Sequence, residues 1–200
     1  MPDTSHFSHH FFSDFNHNRD GIYTFDYSHT TMANIEDVKL NFNFNYGIFL
    51  GLDEGSEVTL NNVEASYNED VGLYFDTLKD TTQDPPADVI LKGTNSVIGN
   101  KGIAGFYVST DINAVVSRGA TLNAYNNTKF GVVVVDPSTL TVKKSGAVNA
   151  CGSGNDVDLV GLENSSIFPI SGKGYTCDSV LDANNEFTSC ENPCPVCALN

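Results

Sequence analysis

The chain has 200 residues, of which 40% are hydrophobic and 18% are charged, and its formal net charge is −15 at pH 7. This acidity excludes a nucleic-acid surface, which needs clustered cations, and electrostatic docking on anionic lipid. The longest stretch without Asp, Glu, Lys or Arg is 40–52, shorter than the ~20 apolar residues of a spanning helix. We therefore expect no nucleic-acid partner and no membrane span.

A short segment of alternating apolar residues recurs along the chain, and each copy begins at a Gly or an Asp. The copies begin at Gly21, Gly47, Gly72, Gly105, Gly131 and Asp156. Successive starts lie 26, 25, 33, 26 and 25 residues apart. The long interval contains 79–88, a polar segment with two adjacent prolines that is typical of an inserted loop. The spacing predicts an all-β coil of about six turns, each of roughly 25 residues.

Two further columns follow the same repeat. One column contains Val38, Val63, Val97, Leu122 and Val148, and the other contains Val58, Val89, Val115 and Leu140. Three alternating segments per repeat are typical of three short strands, and such turns bury their inward residues against one another. We expect Val63 and Val97 to be axial neighbours.

Asparagines precede the glycine column in most repeats. They are Asn16, Asn18, Asn43, Asn68, Asn100, Asn126 and Asn127. Asparagine suits a sharp corner because it tolerates left-handed backbone and bonds to its own chain. Stacked asparagines can also hydrogen-bond along the axis as a ladder.

With its repeat length and its corner asparagines, the segment 12–162 resembles the right-handed parallel β-helix superfamily, the pectin-lyase-like fold. Right-handedness is implied by that resemblance. The superfamily includes polysaccharide lyases, hydrolases and epimerases, but the resemblance rests on architecture, and a fold alone does not define activity. The lone Arg118 and the sequence Asp136-Pro137-Ser138 provide no catalytic cluster, so we name no catalytic residue.

The two ends of the chain differ from the repeat. The segment 1–11 is too short to cap a solenoid, so we expect the chain to be part of a longer secreted or cell-surface protein. The segment 163–200 is Cys-rich and is expected to form a C-terminal cap or linker. The disulfide candidates are Cys151, Cys177, Cys190, Cys194 and Cys197. Four sulfurs could instead hold zinc, although the paired CxxC spacing of a zinc ribbon is missing.

Alternation within the glycine-led segments predicts which residues face outward. Tyr23, Phe49, Tyr74 and Tyr107 share the outward position on consecutive turns, and Val133 and Asp158 continue the column. Aromatic side chains stacked in register can simply stabilise a sheet. They can also bind the apolar faces of sugar rings, with nearby polar groups bonding the hydroxyls. These four residues are therefore the candidate ligand-binding stripe.

Two weaker site patterns occur. Asp14, Asn16, Asn18 and Asp20 place oxygen ligands at alternate positions before Gly21, which resembles a Ca²⁺ loop. The bidentate Glu of an EF-hand is missing, and corner asparagines explain part of the pattern. Asn126 and Asn164 each begin an Asn-x-Ser/Thr sequon and are candidate glycosylation acceptors. Calcium is thus the one candidate cofactor.

Three function classes remain. The first is a non-catalytic extracellular module that binds a polysaccharide or a cell-surface glycan, or mediates adhesion. The alternative is an enzyme of the pectin-lyase-like fold whose active site has diverged or lies outside this chain. The third is a structural spacer within a larger surface protein.

Overall fold

The computed structural model describes residues 15–24, 32–77, 85–135, 137–150, 155–161, 166–169, 175–177, 180–181 and 187–188. These residues form an all-β solenoid of about five turns, which confirms the predicted fold class with about one turn fewer than the six that the spacing predicts. Their strands, in chain order, are β1 (Ile22–Thr24), β2 (Met32–Glu36), β3 (Ile48–Leu52), β4 (Glu57–Asn61), β5 (Leu73–Thr77), β6 (Ala87–Lys92), β7 (Thr94–Ser96), β8 (Ala104–Val108), β9 (Ile112–Val116), β10 (Thr121–Asn123), β11 (Phe130–Val134), β12 (Thr139–Val142), β13 (Ala147–Asn149), β14 (Val157–Gly161), β15 (Ser166–Pro169), β16 (Tyr175–Thr176), β17 (Val180–Leu181) and β18 (Phe187–Thr188).

Three sheets run along the solenoid, and successive turns add strands to them as the chain advances. The eight-stranded sheet has the order β1-β3-β5-β8-β11-β14-β17-β18, the six-stranded sheet β15-β12-β9-β6-β4-β2, and the four-stranded sheet β16-β13-β10-β7. The strands pair in parallel, apart from the antiparallel pair β17 and β18. Strand β6 begins at Ala87. The last two residues of the predicted insertion 79–88 therefore belong to this strand.

The core lies between the three sheets and is built from the inward residues of the alternating segments. In the eight-stranded sheet, Ile48, Leu73, Phe106, Val132 and Leu159 follow one another in register. All five are at most 2% exposed. An apolar side chain at this position is buried between the equivalent side chains of the two neighbouring turns. For this reason the position is apolar on each of these turns, although the residue itself varies.

Two predicted columns are shifted. Val63 does not neighbour Val97, because the register places Glu64 against Ser96 and hence Val63 against Asn95. Asn95 fills the place of a valine because its side chain accepts a hydrogen bond from Val63 N at 3.1 Å and donates one to Lys92 O at 2.9 Å. The expected alignment was wrong because it allowed no buried polar residue within an apolar column.

The other shift concerns the later turns. In the six-stranded sheet, Ala114 aligns with Val89 and with Leu140, so Ala114 points inward and Val115 points outward. In the last full turn of the eight-stranded sheet, Leu159 aligns with Val132, so Asp158 rather than Asp156 occupies the glycine column. Small local changes in corner length cause both errors.

An asparagine ladder runs through the buried corner before the eight-stranded sheet. Asn43 N donates to Asn68 Oδ1 at 2.9 Å, Asn68 N donates to Asn100 Oδ1 at 3.0 Å, and the same contact links Asn100 to Asn127 at 3.0 Å. The amide nitrogens of Asn43, Asn68 and Asn100 donate to the same oxygens at 3.0 Å. The ladder satisfies buried backbone donors that no strand pairs, which confirms the axial ladder expected of the corner asparagines.

The ladder explains why a glycine follows each corner. A Cβ on Gly72 would lie 2.6 Å from Ala65 O, 2.7 Å from Asn100 Nδ2 and 2.8 Å from Gly105 O. The equivalent Gly47 meets Asn68 Nδ2 at 2.9 Å, and Gly105 meets Asn127 Nδ2 at 2.5 Å. The glycine thus makes room for the asparagine of the next turn, so the two columns depend on each other.

No helix that could cross a membrane occurs among the described residues. Several predicted features lie outside the part of the chain that the structure describes. They are the segment 1–11, Asp14, Cys151, Asn164, Cys190, Cys194 and Cys197.

Candidate ligand-binding face

The outer side of the eight-stranded sheet collects the four residues of the predicted stripe. Tyr23 pairs with Phe49, Phe49 with Tyr74, and Tyr74 with Tyr107. They stand on β1, β3, β5 and β8, where alternation turns them away from the core. Four consecutive turns therefore present one aromatic side chain each at the same position.

The rings pack tightly against one another. The centroids of Tyr23 and Phe49 are 4.9 Å apart with planes at 20°, a stacked pair. Phe49 meets Tyr74 edge to face at 4.9 Å, and Tyr74 meets Tyr107 edge to face at 4.8 Å. Tyr23 is 48% exposed, whereas Phe49 is 6% exposed. The stripe thus combines a structural aromatic ladder with exposed edges at Tyr23, Tyr74 and Tyr107.

A fifth aromatic residue, Tyr46, belongs to this surface and was missed by sequence reasoning. Its ring lies 5.2 Å from that of Phe49 and 5.9 Å from that of Tyr74. Tyr46 stands just before Gly47, in a column that holds Asp20 and Val71 on the neighbouring turns, so it has no aromatic partner in its own column. We call Tyr23, Tyr46, Phe49, Tyr74 and Tyr107 the aromatic face.

The pKa values of three tyrosine hydroxyls of the aromatic face are raised. Burial raises the pKa of Tyr74 above its usual value, with a further contribution from the negative charge of Asp76. Burial and then Asp76 likewise raise the pKa of Tyr107. Burial raises the pKa of Tyr46, and a hydrogen-bonding contact with the Asp70 carboxylate adds to the effect. These hydroxyls remain hydrogen-bond donors at neutral and mildly alkaline pH.

Polar side chains border the rings. Asp76 follows Tyr74 by two residues on β5, so both point outward, about 7 Å apart along the strand. Ser109 occupies the equivalent place one turn on and makes a hydrogen-bonding contact with Tyr74. Near the first turn, Asp20 Oδ1 is buried and has no hydrogen-bond partner among the described residues. Rings, hydroxyls and carboxylates together can contact both the apolar and the polar faces of a sugar.

Beyond Tyr107, the outer face becomes aliphatic and closed. Val133 and Val160 continue the column in register and are each 1% exposed. With Ala104 and Val157 they form a second buried cluster. The expectation that Asp158 continues the outward column was wrong, because Asp158 occupies the glycine position and accepts a hydrogen bond from Asn155 Nδ2 at 3.0 Å. The aromatic face is thus confined to the first turns.

A second aromatic group, which the sequence reasoning did not identify, stands at the solvent side of the asparagine corner. The rings of His17 and Phe42 stack at 5.4 Å, and those of Phe42 and Tyr67 stack at 5.1 Å. All three residues have left-handed backbone, with φ of 62°, 59° and 59°. Gly99 and Asn126 take this place in later turns. The signal in the sequence is the residue directly before each ladder asparagine. We call His17, Phe42 and Tyr67 the corner stack.

A polar groove of about 380 Å³ lies between the six-stranded and four-stranded sheets. Asn62 Nδ2 donates to Asp37 Oδ1 at 3.0 Å, and Thr94 N donates to Asn62 Oδ1 at 3.0 Å. The Lys39 ammonium lies 3.6 Å from the Glu64 carboxylate. Because these groups bond to one another, the groove is a weaker candidate than the aromatic face.

Two asparagines of the predicted calcium loop bond to the next turn of the corner. Asn16 Oδ1 accepts a hydrogen bond from Asn41 N at 2.8 Å, and Asn18 N donates to Asn43 Oδ1 at 3.0 Å. The Asp20 carboxylate lies 3.8 Å from Arg19 Nε. Among the described residues, no three His, Cys, Asp or Glu side chains group as metal ligands. Two of the four residues are therefore corner residues, and calcium stays a prediction.

Two modification candidates fall on described residues. Asn126 is exposed and has left-handed backbone at a corner, while its neighbour Asn127 is fully buried in the asparagine ladder. A glycan on Asn126 would therefore project into solvent. Cys177 is fully buried and belongs to the main core. Disulfide pairing stays a prediction.

Comparisons of the chain with family models, curated proteins and solved structures find no match. The parallel β-solenoid is therefore established from the structure, and the function has to be argued from the face itself.

Proposed function

We propose that the chain is a non-catalytic module that binds a glycan along the aromatic face. The observation that carries this proposal is the continuous set of rings on consecutive turns, bordered by carboxylates and hydroxyls. Sugars bind to proteins through this combination because their ring C–H faces pack on aromatic rings while their hydroxyls take hydrogen bonds. The spacing of about 4.8 Å per turn lets an extended chain contact several rings.

The neutral hydroxyls of Tyr46, Tyr74 and Tyr107 support binding rather than proton abstraction. A raised tyrosine pKa favours the protonated form, which donates hydrogen bonds and is a poor general base. For this reason we place the polysaccharide-cleaving alternative second. An adhesive or structural role stays compatible with the same fold, and the experiment below separates it from glycan binding.

The rest of the expected context belongs to the proposal. We propose that the solenoid is of the pectin-lyase-like, right-handed kind and that it works outside the cell as part of a longer surface or secreted protein. The crowding of cysteines near the C-terminus supports an oxidising compartment with disulfides. The acidic net charge of −15 suits a soluble surface.

A glycan array tests the proposed function with matched variants. The test variant is Tyr74→Ser with Tyr107→Ser, which removes two rings of the aromatic face. The control is Phe42→Asn with Tyr67→Asn, which removes two rings of the corner stack at positions whose left-handed backbone suits asparagine. We expect the wild type and the control to be retained, and the test variant to lose retention while its circular dichroism stays unchanged.

Two results would contradict the proposal. If the wild type is not retained on any glycan, the aromatic face is a structural ladder. If the test variant is retained as well as the control, the glycan binds elsewhere. New unsaturated or reducing ends during incubation with a polysaccharide would instead support the catalytic alternative.

A further inference from the structure

The charge of the aromatic face is uniformly negative. The described outward positions of the eight-stranded sheet include Asp76 and contain no lysine or arginine. Asp20 lies just before β1, in the column of Tyr46. Asp70 adds a carboxylate at the corner beside Tyr46. Of these three carboxylates, only Asp20 has a cation near it among the described residues, the Arg19 side chain, which is 86% exposed. A polyuronate would therefore meet like charge along the whole face.

Asp76 is the carboxylate best placed to meet a ligand. It stands two residues after Tyr74 on β5, and its charge acts on the hydroxyls of both Tyr74 and Tyr107. Its carboxylate has no hydrogen bond or ion pair with any described residue. Its side chain is only partly exposed. A half-buried carboxylate that has no cationic partner among the described residues and lies beside aromatic rings is suited to receive a cation.

Aromatic rings and a carboxylate form the usual recognition site for an ammonium group. The ring face attracts the cation through its quadrupole, and the carboxylate supplies a charge-assisted hydrogen bond. Both effects strengthen where water is partly excluded. Tyr74, Asp76 and Tyr107 provide this combination within two adjacent strands, β5 and β8.

We infer that the glycan bound by the aromatic face carries free amino groups, and that Asp76 receives an ammonium group beside the rings of Tyr74 and Tyr107. This inference rests on the proposed function and adds the class of sugar: a polymer of amino sugars rather than a polyuronate. The remaining rings, Tyr23, Tyr46 and Phe49, would contact the sugar units that follow along the axis.

Binding of three oligosaccharides of equal length tests the inference by calorimetry at about pH 6, where carboxylates are ionised. The probes are oligomers of glucosamine, of N-acetylglucosamine and of galacturonic acid. We expect the glucosamine oligomer to bind roughly ten-fold more tightly than the acetylated one, from the added ion pair and cation–π contact. We expect no binding of the galacturonate oligomer.

Two variants with the same change in net charge distinguish a site from general attraction. Asp76→Asn removes the proposed carboxylate, whereas Glu69→Gln removes an exposed corner carboxylate that is ion-paired with Lys101 at 2.5 Å. We expect Asp76→Asn to bring the glucosamine affinity down to that of the acetylated oligomer, and Glu69→Gln to leave the roughly ten-fold preference intact.

The outcomes separate the inference from the proposed function. Equal binding of the glucosamine and acetylated oligomers would overturn the inference and leave glycan binding standing. A preference that survives in Asp76→Asn would also overturn it, because the attraction would then come from the overall negative charge. Tighter binding of the galacturonate oligomer would contradict it directly. If the protein binds none of the three oligomers and is retained by no glycan on the array, the proposed function itself is overturned.

Discussion

Removal of the Asn68 side chain should strongly destabilise the solenoid, because Asn68 is a central member of the asparagine ladder. Asn68 Oδ1 accepts two hydrogen bonds from Asn43, from its backbone N at 2.9 Å and from its Nδ2 at 3.0 Å. Asn68 Nδ2 donates to Asn100 Oδ1 at 3.0 Å. Asn43, Asn68 and Asn100 are all 0% exposed.

The magnitude follows from the groups left without a partner. In Asn68→Ala, two buried donors of Asn43 lose their acceptor, and each such donor costs about 1–3 kcal/mol. The expected loss of unfolding free energy is therefore about 2–6 kcal/mol, a large fraction of the ~5–15 kcal/mol that stabilises a typical domain. Asn100 Oδ1 still accepts from Asn68 N, so the next turn loses less.

Urea denaturation followed by circular dichroism measures this change. Asn45→Ala is the matched control, because Asn45 stands in the same corner and its side chain has no hydrogen bond with any described residue. We expect the control to change the free energy of unfolding by less than about 0.5 kcal/mol. Equal denaturation midpoints for Asn68→Ala and Asn45→Ala would refute the account of the ladder.

Two further predictions test the glycine column and the tyrosine environment. Gly72→Ala should lower the denaturation midpoint strongly, because its Cβ would lie 2.6 Å from Ala65 O. The control Gly119→Asn should change the midpoint little, because Gly119 has left-handed backbone and no atom lies within 4 Å of its Cβ position. Similar midpoints for the two variants would contradict the close-approach argument. Tyrosine absorbance should show that part of the eight tyrosines ionises well above the usual ~10, since the pKa of Tyr46, Tyr74 and Tyr107 is raised. As the pH rises, the unfolded chain loses these protons before the folded chain does. The free energy of unfolding should therefore keep its full value below about pH 10 and fall as the pH rises further. If all tyrosines ionise together near pH 10 and the free energy of unfolding stays constant, the raised pKa values are wrong.

The repeat itself could be predicted from the sequence, because a solenoid stacks the same position on every turn. The columns that begin at Gly47, Gly72, Gly105 and Gly131 align as their spacing indicates. The asparagine ladder could be anticipated for the same reason. Register failed only where a column changes chemistry, as when Asn95 replaces a valine, or where a corner changes length before Asp158.

The candidate site was less accessible to sequence reasoning. Alternation placed Tyr23, Phe49, Tyr74 and Tyr107 on one face, but it does not fix ring orientation or depth. The near-complete burial of Phe49 depends on packing with rings from other columns, notably Tyr46. The corner stack escaped notice because left-handed backbone is rare for residues such as Phe42 and Tyr67.

Hydroxyl-radical footprinting of the protein with and without the glucosamine oligomer tests the central claim most directly. Among the described residues, the aromatic face and the corner stack each present aromatic rings to solvent, and only the aromatic face is the proposed site. We predict that the ligand lowers the oxidation of Tyr74 and Tyr107 and leaves that of Phe42 and Tyr67 in the corner stack unchanged. Unchanged oxidation of Tyr74 and Tyr107 under saturating ligand, or protection of the corner stack instead, would contradict the assignment of the aromatic face as the glycan-binding surface.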